Sequence, residues 1–230
     1  MDWKNAYRSL YYADAEIPDL ELDPARTALL VIDIQNAYFD RPPRRLDVPE
    51  SQRNEWGRWQ YFDQRMRKTV LPTVRRLQDA FRRQGRDVLH ARIACLTEDG
   101  RDRSLSQRRP GFNNVLLPKD SPASQIAPEV APAPGEIVVT KTTDSALTGT
   151  NLRLVMHNMG IYHVVVAGIF TDQCVSSTVR SLADESFDVV LIEDGCAAIS
   201  QEIHDHELTV INNIYCQVMS ADDLLGILGG

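Results

Sequence analysis

The sequence predicts an α/β protein: a three-layer α/β/α sandwich around a mostly parallel six-stranded sheet. Short runs of β-branched apolar residues recur along the chain, apolar at consecutive positions as strands covered on both faces must be. Between them lie stretches whose apolar residues return every three or four positions, the spacing of a helix with one buried stripe. Strand and helix patterns taking turns in this way describe a sheet wrapped by helices.

The first strand is read at 27–33, TALLVID. Met66, Val70, Val74, Leu77 and Phe81 then mark one face of a helix whose arginines stay in water, with Pro72 expected to kink it or break it near its start. Strands follow at 87–93 (DVLHARI) and 136–141 (EIVVTK). A helix at 150–158 stops before Gly160, a residue suited to the left-handed cap. After a strand at 163–167 (HVVVA) comes a helix at 174–185, then a strand at 188–193 (DVVLIE) and a helix at 201–213. The weakest strand, 215–220 (YCQVMS), precedes a final helix at 221–228. Two stretches, 41–61 and 95–135, read as irregular, and the second holds six of the twelve prolines. Long loops in an α/β domain commonly serve as lids or binding loops.

With 230 residues, 43% of them hydrophobic, the chain suits one substantial core. Residues 1–24 are read as an N-terminal extension and 25–230 as one domain, without repeats or a dividing linker. A net charge of −7 disfavours a nucleic-acid partner, which needs a basic face. No apolar run approaches the roughly 18 residues that span a bilayer, and the N-terminus lacks a basic start followed by an apolar stretch. The four cysteines are scattered with no CxxC pair, which suits reduced thiols and a cytoplasmic setting.

Ligands of open α/β sheets bind at the carboxyl ends of the strands. Three reactive side chains are expected there: Asp33 closes the first strand, Lys141 the third, and Cys174 follows the fourth across a short turn. Thr171 or Asp172 is placed to cap the helix behind that turn, whose dipole and free N–H groups would favour a thiolate. Arg92, at the end of the second strand, is expected on the same rim as a grip for a substrate carbonyl or carboxylate. Cys95, Cys196 and Cys216 lack a matching base and read as structural. Trp3, Trp56, Trp59, Tyr61 and Phe62 read as packing residues, and His204 and His206 as surface ones.

The segments LLVIDIQNAYF (29–39), VVTKTTDSALTGTNL (138–152) and GIFTDQCVSSTVR (168–180) together resemble the isochorismatase-like cysteine hydrolases. That family includes nicotinamidases, N-carbamoylsarcosine amidases and ureidoacrylate hydrolases. The resemblance implies Cys174 as nucleophile, Asp33 as its base and Lys141 as the cation holding both. It also implies a cis Ile169–Phe170 peptide, with the N–H groups of Phe170 and Cys174 forming an oxyanion hole. Gln35 and Ile169, beside the reactive strand ends, join Arg92 as expected substrate contacts.

The implied reaction hydrolyses a C–N bond of a small amide or N-carbamoyl substrate through a thioester, with no cofactor. Nicotinamidase-like members hold a metal with histidines soon after the first strand, but no histidine lies between Asp33 and His90, so no metal is expected. The family implies a homodimer or homotetramer, and the extension is expected to pack on a neighbouring subunit. Two alternatives share the motifs: a vinyl ether hydrolase of the isochorismatase type, and a catalytically idle binding or assembly module. A catalytic Cys174 should alkylate faster than the other thiols, and at lower pH.

Overall fold

The structure is a computed structural model and describes residues 2–39, 50–110 and 113–229. Its strands are β1 (Thr27–Ile32), β2 (Val88–Ile93), β3 (Arg108–Arg109), β4 (Asn113–Asn114), β5 (Ile137–Lys141), β6 (His163–Ile169), β7 (Asp188–Ala197) and β8 (Gln217–Met219). Six of them form one sheet in the order β5-β2-β1-β6-β7-β8, every neighbouring pair parallel. β3 and β4 make a separate antiparallel ribbon inside the stretch read as irregular.

Side-chain alternation in the central strands divides the interior in two. Ala28, Leu30 and Ile32 of β1 join Val164 and Val166 of β6 in one core, while Leu29 and Val31 join Val165, Ala167 and Ile169 in the other. The first core is closed by α3 (Leu152–Asn158), α4 (Ser176–Asp184) and α5 (Gln201–Ile211), through Leu152, Met156, Val179, Leu182, Leu208 and Ile211. The second is closed by α1 (Glu50–Arg65), α2 (Leu71–Arg83) and α6 (Ala221–Ile227), through Phe62, Val74, Leu77, Phe81 and Leu224. The sandwich is the one the sequence predicts, and the sheet is parallel throughout.

Most helix ends follow local rules. Gly160 adopts a φ of 74° behind α3, and the Ile161 N–H reaches back to the Met156 carbonyl. Ser200 caps α5, and Ser220 with Asp223 forms a reciprocal capping box on α6. Pro72 stands in the first turn of α2, directly after a π-type turn at Met66–Val70 in which the Leu71 N–H reaches the Met66 carbonyl. Proline has no N–H to offer Lys68, so the ladder shifts its reach just before it.

Two expectations change. Residues 50–65, mostly inside the stretch read as irregular, form α1; residues 40–49 of that stretch lie outside the described residues. The mean hydropathy of this helix is low, so its pattern carries little apolar signal. β7 runs on to Ala197 past a register shift, pairing Cys196 and Ala197 with Gly168 and Ile169. The N-terminal stretch packs on its own chain: Asn212 donates to the Ala6 and Tyr7 carbonyls at 3.0 Å, and Trp3, Leu20 and Leu22 lie against the second core. No described helix is long and apolar enough to cross a membrane.

Candidate active site

β1 and β6 converge through a glycine. Gly168 adopts a φ of 134°, and a Cβ there would sit 2.1 Å from the Ile32 carbonyl oxygen, so only glycine allows the two strand ends to approach this closely. Directly after Ile32, Asp33 takes a left-handed φ of 54°, which Asp tolerates better than most residues. Simple alternation would send Asp33 to the face opposite Ile32. The left-handed turn instead brings its carboxylate to the side where Lys141, at the end of β5, and Cys174 are found.

Lys141 Nζ lies 2.7 Å from Asp33 Oδ2 in an ion pair whose side chains are 0% and 1% exposed. The same ammonium donates to Cys174 Sγ at 3.3 Å and to the Thr143 carbonyl at 3.1 Å. Asp33 Oδ1 has no hydrogen-bond partner. Burial pushes the Asp33 carboxyl above its ordinary range, against the pull of the Lys141 ammonium beside it. Burial opposes the Lys141 charge too, but Asp33 and Cys174 outweigh it and hold the ammonium above its usual value.

Cys174 lies in a π-type turn, Thr171–Val175, that leads into α4. The surroundings of the sulfur oppose the thiolate that the helix terminus would favour. Burial first, then the Asp33 charge, push the thiol well above its ordinary range despite Lys141. A helix terminus contributes only part of a unit charge, too little against a buried carboxylate beside the sulfur. The Cys174 thiol should therefore not alkylate at unusually low pH. Nor do the expected caps form: Phe170 is the N-cap without a side-chain bond, Thr171 is turned to His204, and Asp172 Oδ1 is buried without a partner.

The sulfur borders a cavity of about 630 Å³ whose wall includes Tyr38, Ile93, Asp144, Phe170, Gln173 and Arg180. The Ile169–Phe170 peptide is cis, as expected. Phe170 is held in an aromatic cluster, with ring centroids 4.9 Å from Phe62, 5.3 Å from Tyr38 and 5.8 Å from Trp59. Trp59 and Phe62 thus act as packing residues; the side chain of Trp56 lies outside the described residues. Asp144 was not singled out in the sequence, yet its Oδ1 is 3.8 Å from Cys174 Sγ and accepts from Gln107 at 3.1 Å. Its position three residues after Lys141 was the available signal.

The three expected substrate contacts are not brought to this cavity. Arg92 donates to Gln125 and Thr140 and borders a separate cavity of about 320 Å³. Its neighbours Ala91 and Ile93 face the Cys174 side, so alternation sends Arg92 to the other. Gln35 is fully buried, its amide donating to the Ile93 and Ser124 carbonyls and accepting from the Ile93 N–H. Ile169 is core. Cys95, Cys196 and Cys216 are free and buried, and burial raises Cys196 to about 12. His204, read as a surface residue, is fully buried, whereas His206 is exposed. Among the described residues, no group of three or more His, Cys, Asp or Glu is placed to hold a metal ion.

Comparison with known proteins agrees with this architecture. The Isochorismatase domain family matches residues 27–223. Ureidoacrylate amidohydrolase RutB from Agrobacterium fabrum is 26% identical over 223 residues, covering 91% of this chain and 92% of its own. The structure of an isochorismatase family protein from Burkholderia thailandensis superposes with a TM-score of 0.72 at 27% identity, over 91% of this chain and 98% of that one. N-carbamoylsarcosine amidase from Thermoplasma acidophilum shares the fold, with a TM-score of 0.63 at 24% identity over 86% and 97% of the two chains. With all six strands of the sheet and their strand-end residues inside the matched span, this chain belongs to the isochorismatase family of hydrolases.

Proposed function

We propose that this protein is a cysteine-dependent amidohydrolase that cleaves the C–N bond of a small amide or N-carbamoyl substrate. The observation that carries the reading is the contact chain from Asp33 through Lys141 to Cys174, at 2.7 Å and 3.3 Å, with the sulfur on a cavity large enough for a small molecule. The name of the Agrobacterium relative, a ureidoacrylate amidohydrolase, supports the same reaction class.

Burial and the Asp33 charge favour the protonated thiol, and the neighbouring carboxylate lacks a partner on Oδ1, so the thiol proton passes to Asp33 as sulfur attacks the substrate carbonyl. Lys141 keeps its charge throughout and offsets the negative charge that moves from carboxylate to sulfur. The Phe170 and Cys174 N–H groups serve the tetrahedral oxyanion. The Asp33 proton then goes to the leaving nitrogen, ammonia or an amine departs, and a thioester remains. A water molecule, giving its proton to Asp33, attacks the thioester; the acid is released and the thiol regains its proton.

Ammonia release from a panel of carboxamides, N-carbamoyl amino acids, ureidoacrylate, biuret and nicotinamide tests the proposal. Activity on at least one member, lost by about 10³-fold or more in Cys174→Ala, is expected. Activity that survives Cys174→Ala, or silence across the panel with turnover of a vinyl ether such as isochorismate, would overturn it.

A further inference from the structure

A half-buried arginine and a buried histidine lie against the turn that carries Cys174, outside the wall of the cavity. Arg65 Nη2 lies 2.9 Å from His204 Nε2, and His204 Nδ1 lies 2.8 Å from Thr171 Oγ1. His204 and Thr171 are fully buried. A guanidinium can only donate, so His204 Nε2 accepts, the ring proton sits on Nδ1, and Nδ1–H donates to Thr171 Oγ1. Burial, reinforced by Arg65, lowers His204 to about 3, so the ring stays neutral and keeps this arrangement.

The arginine is itself anchored. Its Nε donates to the Cys196 carbonyl and its Nη2 to the Glu193 carbonyl, both at 2.8 Å, so the chain of donors starts on the backbone of β7 and ends at Thr171. On the other side of the same turn, the Phe170 carbonyl accepts from the N–H groups of Gln173 and Val175 at 3.0 and 3.2 Å. The two attachments flank the Phe170–Thr171 link, between the two residues whose N–H groups face the oxyanion in the proposed reaction. Filling this space with apolar side chains would avoid desolvating a guanidinium and an imidazole. The polar chain instead supplies a directional hold on one hydroxyl.

We propose that Arg65 and His204 are positioning residues that fix Thr171, and through it the aim of the Phe170 and Cys174 N–H groups at the reacting carbonyl oxygen. This rests on the amidohydrolase reading. It places the benefit in the transition state: kcat depends on the chain, and KM does not.

Five variants and one spectrum test it. In Thr171→Val and His204→Phe, kcat should fall about 10- to 100-fold with KM within threefold, since small misplacements of catalytic groups cost rates of that order. His204→Asn, which retains a donor near the Nδ1 position, should recover most of the loss, and His204→Gln, which lacks it, should not. In the wild-type protein, 15N-histidine spectra at pH 7 should show His204 as the neutral Nδ1–H tautomer, whatever the state of the reaction assay. An Nε2–H or protonated ring overturns the inference, as does a His204→Asn variant no better than His204→Phe. If Cys174→Ala abolishes ammonia release while Thr171→Val keeps full kcat, the positioning role alone fails; if Cys174→Ala retains release, the amidohydrolase reading fails with it.

Discussion

Asp33 and Lys141 meet across an intervening strand. Their side chains lie 2.7 Å apart and out of contact with water, although β2 separates β1 from β5 in the sheet. The Asp33 N–H bonds the Ala91 carbonyl, and the Ala94 N–H bonds the Lys141 carbonyl, so β2 fixes the relative height of both strand ends. Two opposite charges so buried are tolerable only together, and Cys174 is placed to sense both.

Breaking this pair should cost stability in a pH-dependent way. In Lys141→Met, Asp33 loses its counter-charge and its pKa, already raised by burial, rises further above the unfolded value. The penalty applies where Asp33 would be ionised in the folded state and fades as falling pH lets it take up a proton. Urea denaturation should show a loss of about 3–5 kcal/mol at pH 8 and a smaller one at pH 5.5. Equal losses at both would sink the argument.

The charge that makes Asp33 a base also suppresses the thiolate. Removing it in Asp33→Asn should lower the Cys174 pKa, because Lys141 remains and the carboxylate does not. Iodoacetamide should therefore modify Cys174 faster at pH 7.5 in Asp33→Asn than in the wild type, while hydrolysis falls. Slower modification together with lost hydrolysis would show that Asp33 promotes the resting thiolate instead.

Gly168→Ala tests the close approach of β1 and β6. The new methyl would meet the Ile32 carbonyl at 2.1 Å in a backbone conformation that alanine avoids. Neither strand end can yield without moving Asp33 or the Phe170 turn. A loss of at least about 3 kcal/mol is expected, lowering Tm by roughly 6–12 °C. A Tm within 2 °C of the wild type would refute this account.

Acid sensitivity should trace in part to His204. Its folded pKa of about 3 lies below the unfolded value near 6.5, so the unfolded chain binds the proton first. Its contribution is complete above pH 6.5 and is lost as pH falls from there toward 3, by up to about 3–5 kcal/mol. In His204→Asn, stability plotted against pH should be flatter across that window. An unchanged slope would place the acid sensitivity elsewhere.

The layer architecture, five of the six main strands to within a residue or two, and the placing of Asp33, Lys141 and Cys174 at strand ends were legible in the sequence. These features depend on local periodicity and on the rule that parallel strands present their carboxyl ends to a ligand. β7 outruns its apolar signal because its continuation, Asp194-Gly-Cys-Ala, has no apolar alternation of its own and is held by pairing with β6. α1 leaves little trace in the sequence because its residues lack a strong apolar stripe.

Which groups share a site, and which way their surroundings push their protons, came from the folded chain alone. Arg92 left the rim through simple alternation, and Gln35 was absorbed by backbone groups of Ile93 and Ser124. Asp144 entered through a loop, and His204 met Thr171 from 33 residues away. Burial and the Asp33 charge push the Cys174 thiol up, against the pull of Lys141. Desolvation and charge–charge energies depend on distances and surroundings that no local pattern encodes, so these balances exist only once the chain is folded.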